Sequence, residues 1–102
     1  MGFFNRLTDF GDREMVRTYA MRVGTGLQQL QETNDLNMLQ GLSQAIAQDV
    51  QNMLIQAAKL TPESMNCLNV SYKGRKIPYM SFLDEIRKFS AIVVQRGGYP
   101  LI

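Results

Sequence analysis

A regular stripe of apolar residues between Asp35 and Leu60 constrains the fold more than any other feature of the sequence. The stripe recurs every three or four residues, which is the spacing that places side chains on one face of an α-helix. Its members are Leu36, Leu39, Leu42, Ile46, Val50, Met53, Ala57 and Leu60. The opposite side carries uncharged amides, namely Asn37, Gln40, Gln44, Gln48, Gln51 and Asn52. A face that meets only solvent usually carries charged residues, so the pattern favours a helix that is contacted on both sides.

The composition indicates one small domain, residues 1–102, in a reducing compartment. The net charge is +2, from 11 basic and 9 acidic residues, which is too small to indicate nucleic-acid binding by itself. The single cysteine, Cys67, excludes an intramolecular disulfide, and we expect it to be a buried structural thiol. No run approaches the roughly 20 apolar residues of a membrane span, and the first residues lack the apolar core of a signal peptide. We therefore expect a cytoplasmic location.

The absence of histidine argues against most enzyme chemistry. Without histidine, neither a Ser-His-Asp triad nor a Cys-His pair can form, and the usual zinc ligand sets are missing. The nine acidic residues are scattered and form no calcium loop. We expect no enzymatic activity, no cofactor and no metal.

Two helices are expected to form an antiparallel hairpin. The first runs from about Asp12 to Glu32, and Asn34 or Asp35 is expected to cap the second helix, 36–60. The link between them is so short that the helices must fold back on each other. Gly26 projects onto the apolar arc of the first helix and predicts a close approach by its neighbour, whereas Gly24 predicts a kink or a break.

The C-terminal part predicts a β-hairpin followed by a helix. Residues 68–72 and 75–79 read as two short strands, with Lys73-Gly74 as a two-residue turn. Ser81 is expected to cap the last helix, with Asp84 three residues later and in reach of Lys88. The apolar tail, 97–102, is expected to dock on the body or on a partner. The predicted fold class is mainly α: a helical hairpin plus a C-terminal helix, with a small two-stranded β-hairpin before the last helix.

The neutral side of the second helix is the first candidate site. We expect a non-enzymatic protein–protein interaction module there, an adaptor, assembly subunit or small regulator, acting as a homo-oligomer or with an unidentified protein partner. Neutral amides can hydrogen-bond across such a contact with little desolvation of charge. The residues that define the site are Met38, Gln44, Gln48, Gln51 and Ile55.

Two alternative functions remain open. Basic residues beside tyrosines at the β-hairpin tip are typical of anion or nucleic-acid binding; they are Lys73, Arg75 and Lys76, with Arg87 on the following helix. The N-terminal segment, 1–10, begins Met-Gly-Phe-Phe-Asn-Arg-Leu and has one apolar side. Phe3, Phe4 and Leu7 could fold onto the core, or anchor the chain to a membrane surface or to a partner.

Overall fold

The computed structural model describes residues 2–102, with side chains from Phe10 onward. It confirms the predicted fold class, and its longer elements are two helices, a two-stranded β-hairpin and a final helix. Between the second helix and the first strand lies a single helical turn, capped at its start by Thr61, which is followed by Pro62 at the first helical position, as is typical of a helix start. In chain order the elements are α1 (Gly2–Glu32), α2 (Leu36–Ala57), α3 (Pro62–Asn66), β1 (Asn69–Tyr72), β2 (Arg75–Pro78) and α4 (Tyr79–Gln95).

Helices α1 and α2 form the expected antiparallel pair. The carboxylate of Asp35 caps α2 by accepting hydrogen bonds from the backbone N–H groups of Asn37, at 2.8 Å, and Met38, at 3.2 Å. Gly26 allows the close approach, since a Cβ at this position would lie 2.6 Å from Cγ1 of Ile46 on α2. Most of the apolar stripe of α2 is buried, namely Leu39, Ile46, Val50, Met53 and Ala57. The prediction is wrong for Leu36, the first residue of the helix, which is 52% exposed.

Helix α1 is longer and more continuous than the glycines predict. It passes through Gly24, and also through Gly11, without a break, so the kink or break expected at Gly24 does not occur. Gly24 instead allows a second close approach, because the ring of Tyr72 on β1 lies 3.3 Å from the position that a Cβ would take. The two glycines therefore face different neighbours: Gly26 faces α2, and Gly24 faces the β-hairpin.

The β-hairpin has the predicted strands and turn. Tyr72 is paired with Arg75, and Val70 with Ile77, in an antiparallel register. The turn residues Lys73 and Gly74 have φ values of 53° and 76°, and positive φ at both positions is typical of the type I′ turn that suits the twist of a hairpin. Val70 and Tyr72 are buried against the helices.

The start of α4 differs from the prediction. The helix begins at Tyr79 with Pro78 in the cap position and without a side-chain cap, so Ser81 lies inside the first turn. The prediction of a cap at Ser81 is wrong because the chain turns into the helix directly from β2, where the Tyr79 N–H donates to the Leu68 carbonyl at 2.9 Å. Asp84 pairs with Arg87, at 2.9 Å, instead of with Lys88.

The apolar tail, 97–102, docks on the body of the protein. The Tyr99 N–H donates to the hydroxyl of Ser43 on α2 at 3.0 Å, and the Leu101 N–H donates to the hydroxyl of Ser90 on α4 at 2.9 Å. Leu101 is buried, whereas Tyr99 and Ile102 are exposed. The tail thus joins α2 to α4 through two serine hydroxyls.

Arg96 connects the end of α4 to the end of α1. Its guanidinium donates to the carbonyl of Leu30, at 3.3 Å, and to that of Thr33. A cation at a helix C-terminus satisfies carbonyls that have no partner within the helix and interacts favourably with the helix dipole. At the opposite end of α4, burial of Tyr79 raises the pKa of its hydroxyl to about 12.

The close contact at Gly26 predicts whether a larger residue there stabilises or destabilises the fold. Gly26→Ala is expected to lower the free energy of unfolding by about 1–2 kcal/mol, because overpacking against Ile46 outweighs the gain in helix propensity. Gly11→Ala is the matched control, since no atom of the described side chains lies within 4 Å of a Cβ there, and it should stabilise the chain by up to about 1 kcal/mol. Urea denaturation measures both; equal stability of the two variants would contradict the tight contact.

Candidate functional site

The outer face of α2 is the side of this helix that lies opposite the core. Met38 and Ile55 stand near its two ends and are 64% and 53% exposed. Gln44, Gln48 and Gln51 lie between them and are also exposed. All five residues that define the first candidate site therefore lie on the surface, along one side of one helix. We use the name outer face of α2 for these five residues together with Gly41 and Ala45, which are also exposed.

Charge is almost absent from this helix. Asp49 is the one charged residue of α2, and its carboxylate lies 3.7 Å from the guanidinium Nε of Arg22 on α1. Its side chain is turned towards α1 and is only 21% exposed. Gln40 also leaves the neutral face, because its amide donates to the Gly97 carbonyl at 3.1 Å and holds the tail. The side chains that remain exposed on the outer face of α2 are therefore neutral, and they are either amides or apolar groups.

A shallow groove between α1 and α2 borders the outer face. It has a volume of about 460 Å³, and its lining includes Met21 from α1 and Leu42 and Ala45 from α2. Met21 is exposed, and Leu42 is half-buried. The sequence pattern placed Leu42 in the apolar stripe of α2. It could not predict that Met21 lies beside α2, because the rotation of α1 about its axis depends on the contact between Gly26 and Ile46.

The basic hairpin tip is only partly assembled as predicted. Lys73, Arg75 and Lys76 are exposed, but Arg75 and Lys76 are successive strand residues whose side chains point to opposite faces of the hairpin. The Lys73 ammonium lies 5.3 Å from the centre of the Tyr72 ring, a cation–π contact. Arg87 is bound to Asp84 on α4, so it is already neutralised by a neighbour.

Tyr72 carries a buried hydroxyl beside this tip. Its ring packs against Phe82, with 5.4 Å between ring centroids, and among the described residues its hydroxyl has no hydrogen-bond partner. Burial, with a smaller contribution from the negative charge of Glu85, raises the pKa of this hydroxyl above the ordinary value of 10.0. Both effects favour the neutral phenol, so Tyr72 acts here as a packing residue with an unsatisfied polar atom.

Two further predictions concern the single cysteine and the N-terminal segment. Cys67 is exposed, so the expectation of a buried thiol is wrong; it lies at the end of the surface turn α3, and the next residue, Leu68, fills the inward position. The anchor residues Phe3, Phe4 and Leu7 lie outside the part of the chain whose side chains are described.

Within the described residues, the remaining classes of site give no positive signal. No helix there is long and apolar enough to cross a membrane. In the same part of the chain, no three His, Cys, Asp or Glu side chains are grouped so that they could hold a metal ion. No protein-family model, no curated protein and no solved structure matches the chain. The outer face of α2 and the hairpin tip remain the two candidate surfaces that the sequence predicts.

The unsatisfied hydroxyl makes Tyr72→Phe an unusual substitution. It is expected to raise the free energy of unfolding by about 1 kcal/mol at neutral pH, because it removes a buried polar atom and keeps the ring contacts. The raised pKa means that the folded state disfavours the phenolate. Ionisation therefore costs no stability below pH 10.0, and the wild-type fold loses stability as the pH rises from 10.0 through the folded-state pKa of Tyr72. The advantage of phenylalanine should therefore grow in alkali.

Chemical denaturation at neutral pH and above pH 10 measures this difference. Tyr99→Phe is the matched control, since Tyr99 is exposed and its loss should change the unfolding free energy by less than about 0.5 kcal/mol. A destabilised Tyr72→Phe variant would mean that the hydroxyl has a partner in solution.

Proposed function

We propose that this chain is a non-enzymatic interaction module, of the adaptor, assembly-subunit or small-regulator kind, which associates with itself through the outer face of α2. The observation that carries the proposal is the exposure of Met38 and Ile55 on a helix whose single charge is turned away. A neutral surface suits self-association because two identical copies meet without like-charge repulsion.

Apolar burial on the outer face of α2 is too small by itself to give a tight dimer. Full burial of a Met or Ile side chain contributes about 1.5–3 kcal/mol, so burying the exposed halves of four such side chains in a dimer gives about 3–6 kcal/mol. Association costs an estimated 4–15 kcal/mol in lost translational and rotational freedom. Hydrogen bonds of the glutamines and the apolar groove beside Met21 must supply the balance. We therefore expect a dimer whose population depends on protein concentration.

Charges placed on the outer face of α2 should prevent dimerisation without unfolding the monomer. Gln48→Glu combined with Ile55→Lys is expected to convert the dimer to a monomer, because the contact would bury unpaired charges. The free energy of unfolding of the monomer should change by about 0.5 kcal/mol or less, since both side chains are exposed. Light scattering on a sizing column measures the mass, and urea denaturation measures the stability.

The matched control makes the same chemical change elsewhere. Gln28→Glu with Ile92→Lys alters exposed residues of α1 and α4, away from the outer face, and should leave the dimer intact. Unfolding of the Gln48/Ile55 variant would show that the face belongs to the core. A monomeric wild-type chain would contradict self-association and leave the face to a different protein.

Anion binding at the hairpin tip is a second, separate proposal. Among the described side chains, no acidic group lies within ion-pair distance of Lys73, Arg75 or Lys76. Three exposed cations with no acidic partner among the described side chains favour contact with phosphate groups.

The test is the binding of a single-stranded oligonucleotide at increasing salt. Affinity should fall with salt, with a logarithmic slope of about 0.7 per phosphate contact. Replacing Lys73, Arg75 and Lys76 together by Gln should abolish binding, whereas Arg87→Gln should not, because Arg87 is paired with Asp84. Binding that is absent, or that does not respond to salt, contradicts this second proposal.

A further inference from the structure

Six residues on α2 follow the spacing of a coiled-coil seam. They alternate in steps of three and four along the helix, which is the heptad spacing at which one helix packs continuously against another. Five are exposed and Asn52 is half-buried, so the core uses none of them fully. We call this set the seam; its members are Met38, Gly41, Ala45, Gln48, Asn52 and Ile55.

The seam of one copy is complementary in side-chain size to the seam of a second copy that runs in the opposite direction. If a second α2 runs in the opposite direction about a two-fold axis midway between Ala45 and Gln48, three kinds of facing pair result. Met38 faces Ile55, so the two apolar ends meet. Gly41 faces Asn52, and Ala45 faces Gln48, so each small residue lies opposite a longer amide, which is the alternation of small and large side chains that fills a helix interface.

A parallel arrangement would be poorer in two ways. Each residue would face its own copy, so that Gly41 and Ala45 would leave gaps and Gln48 and Asn52 would crowd each other. The helix dipoles would also be aligned, whereas an antiparallel pair sets opposite ends side by side. Sizes and dipoles therefore both favour the antiparallel orientation.

The neighbours of the seam fit the same arrangement. The Gln48 amide reaches Asn52 on its own helix, at 3.5 Å between Nε2 and Oδ1, so the amides can satisfy one another when water leaves. Asp49 keeps Arg22 as its partner on α1, beside the seam. Met21 lines the groove next to Ala45, close to the axis, and is 60% exposed.

We infer that the partner of α2 is α2 of a second copy of this chain, packed antiparallel with Met38 opposite Ile55, Gly41 opposite Asn52 and Ala45 opposite Gln48. This inference rests on the proposed self-association and adds its orientation and register.

Disulfide cross-linking distinguishes the orientations. Cys67 is exposed and is first replaced by Ser; Met38→Cys and Ile55→Cys are then made as separate variants. In the antiparallel pair, identical positions lie about 25 Å apart along the helix at a rise of 1.5 Å per residue, too far for a disulfide, which needs Cα atoms within about 7 Å. Position 38 of one copy, however, faces position 55 of the other.

An equimolar mixture of the two variants should therefore form a disulfide-linked heterodimer on oxidation, and neither variant alone should cross-link. The mixture also keeps one intact Met38–Ile55 pair at the other end of the seam. Cross-linking of either single variant with itself would overturn the register in favour of a parallel pair. A dimer that is sensitive to Gln48→Glu/Ile55→Lys, yet gives no cross-link in the mixture, overturns the inference and leaves the proposed function standing. A monomeric wild-type chain overturns both.

A glycine substitution gives an independent measurement. Gly41→Gln should raise the denaturation midpoint of the diluted monomer, since none of the described atoms lies within 4 Å of a Cβ there and glycine is a poor helix former. It should also weaken dimerisation at least tenfold, because the new side chain would occupy the space of Asn52 from the second copy. Gly11→Gln, at an equally open position of α1, should give the first effect without the second. Unchanged dimerisation of the Gly41 variant would overturn the register.

Discussion

Close approach of other elements to α1 is the constraint on which the rest of the structure depends. Two glycines, Gly24 and Gly26, lie on different sides of this helix and bring it against the β-hairpin and against α2. A side chain at either position would move one of these partners outward by part of its own width. The Gly26 contact also fixes how α2 is rotated, because Ile46 must point at α1. Once Ile46 points inward, Gln48 and Ile55 must point outward, so the exposed neutral face follows from the packing of the core.

Helix α2 has three sides, and the fold uses two of them. One side packs on α1 through the apolar stripe, and a second holds the tail through Ser43 and Gln40. The third side receives no cover from the described residues, and it is also the side from which charge is missing. A surface that only needs to stay in water gains nothing from this lack of charge, which is why we propose that the third side contacts another helix.

Features that depend on a few neighbouring residues could be predicted from the sequence. Asp35 and Thr61 cap their helices, and Lys73-Gly74 forms the hairpin turn, because each of these signals is decided by local backbone chemistry. Predictions failed where distant parts of the chain decide the outcome. Gly24 does not break α1, because Tyr72 packs beside it. Ser81 is not a cap, because the helix already begins at Tyr79, whose N–H donates to the Leu68 carbonyl. The outer face of α2 was visible as a pattern, but Met21 could join it only through the packing of α1.

The contacts of Arg96 and the tail have a consequence for the order in which the protein can be completed during synthesis. The carbonyls of Leu30 and Thr33 are bound by a residue more than sixty positions later, and the hydroxyl of Ser43 is bound by Tyr99. Such distant contacts form only after the intervening chain has been closed into a loop. Until Arg96 and the tail have been synthesised, α1 therefore keeps an open C-terminal end, and the tail does not yet join α2 to α4. A product that stops short of Arg96 lacks the hydrogen bonds of Arg96 to the carbonyls of Leu30 and Thr33, and those of the tail to the hydroxyls of Ser43 and Ser90.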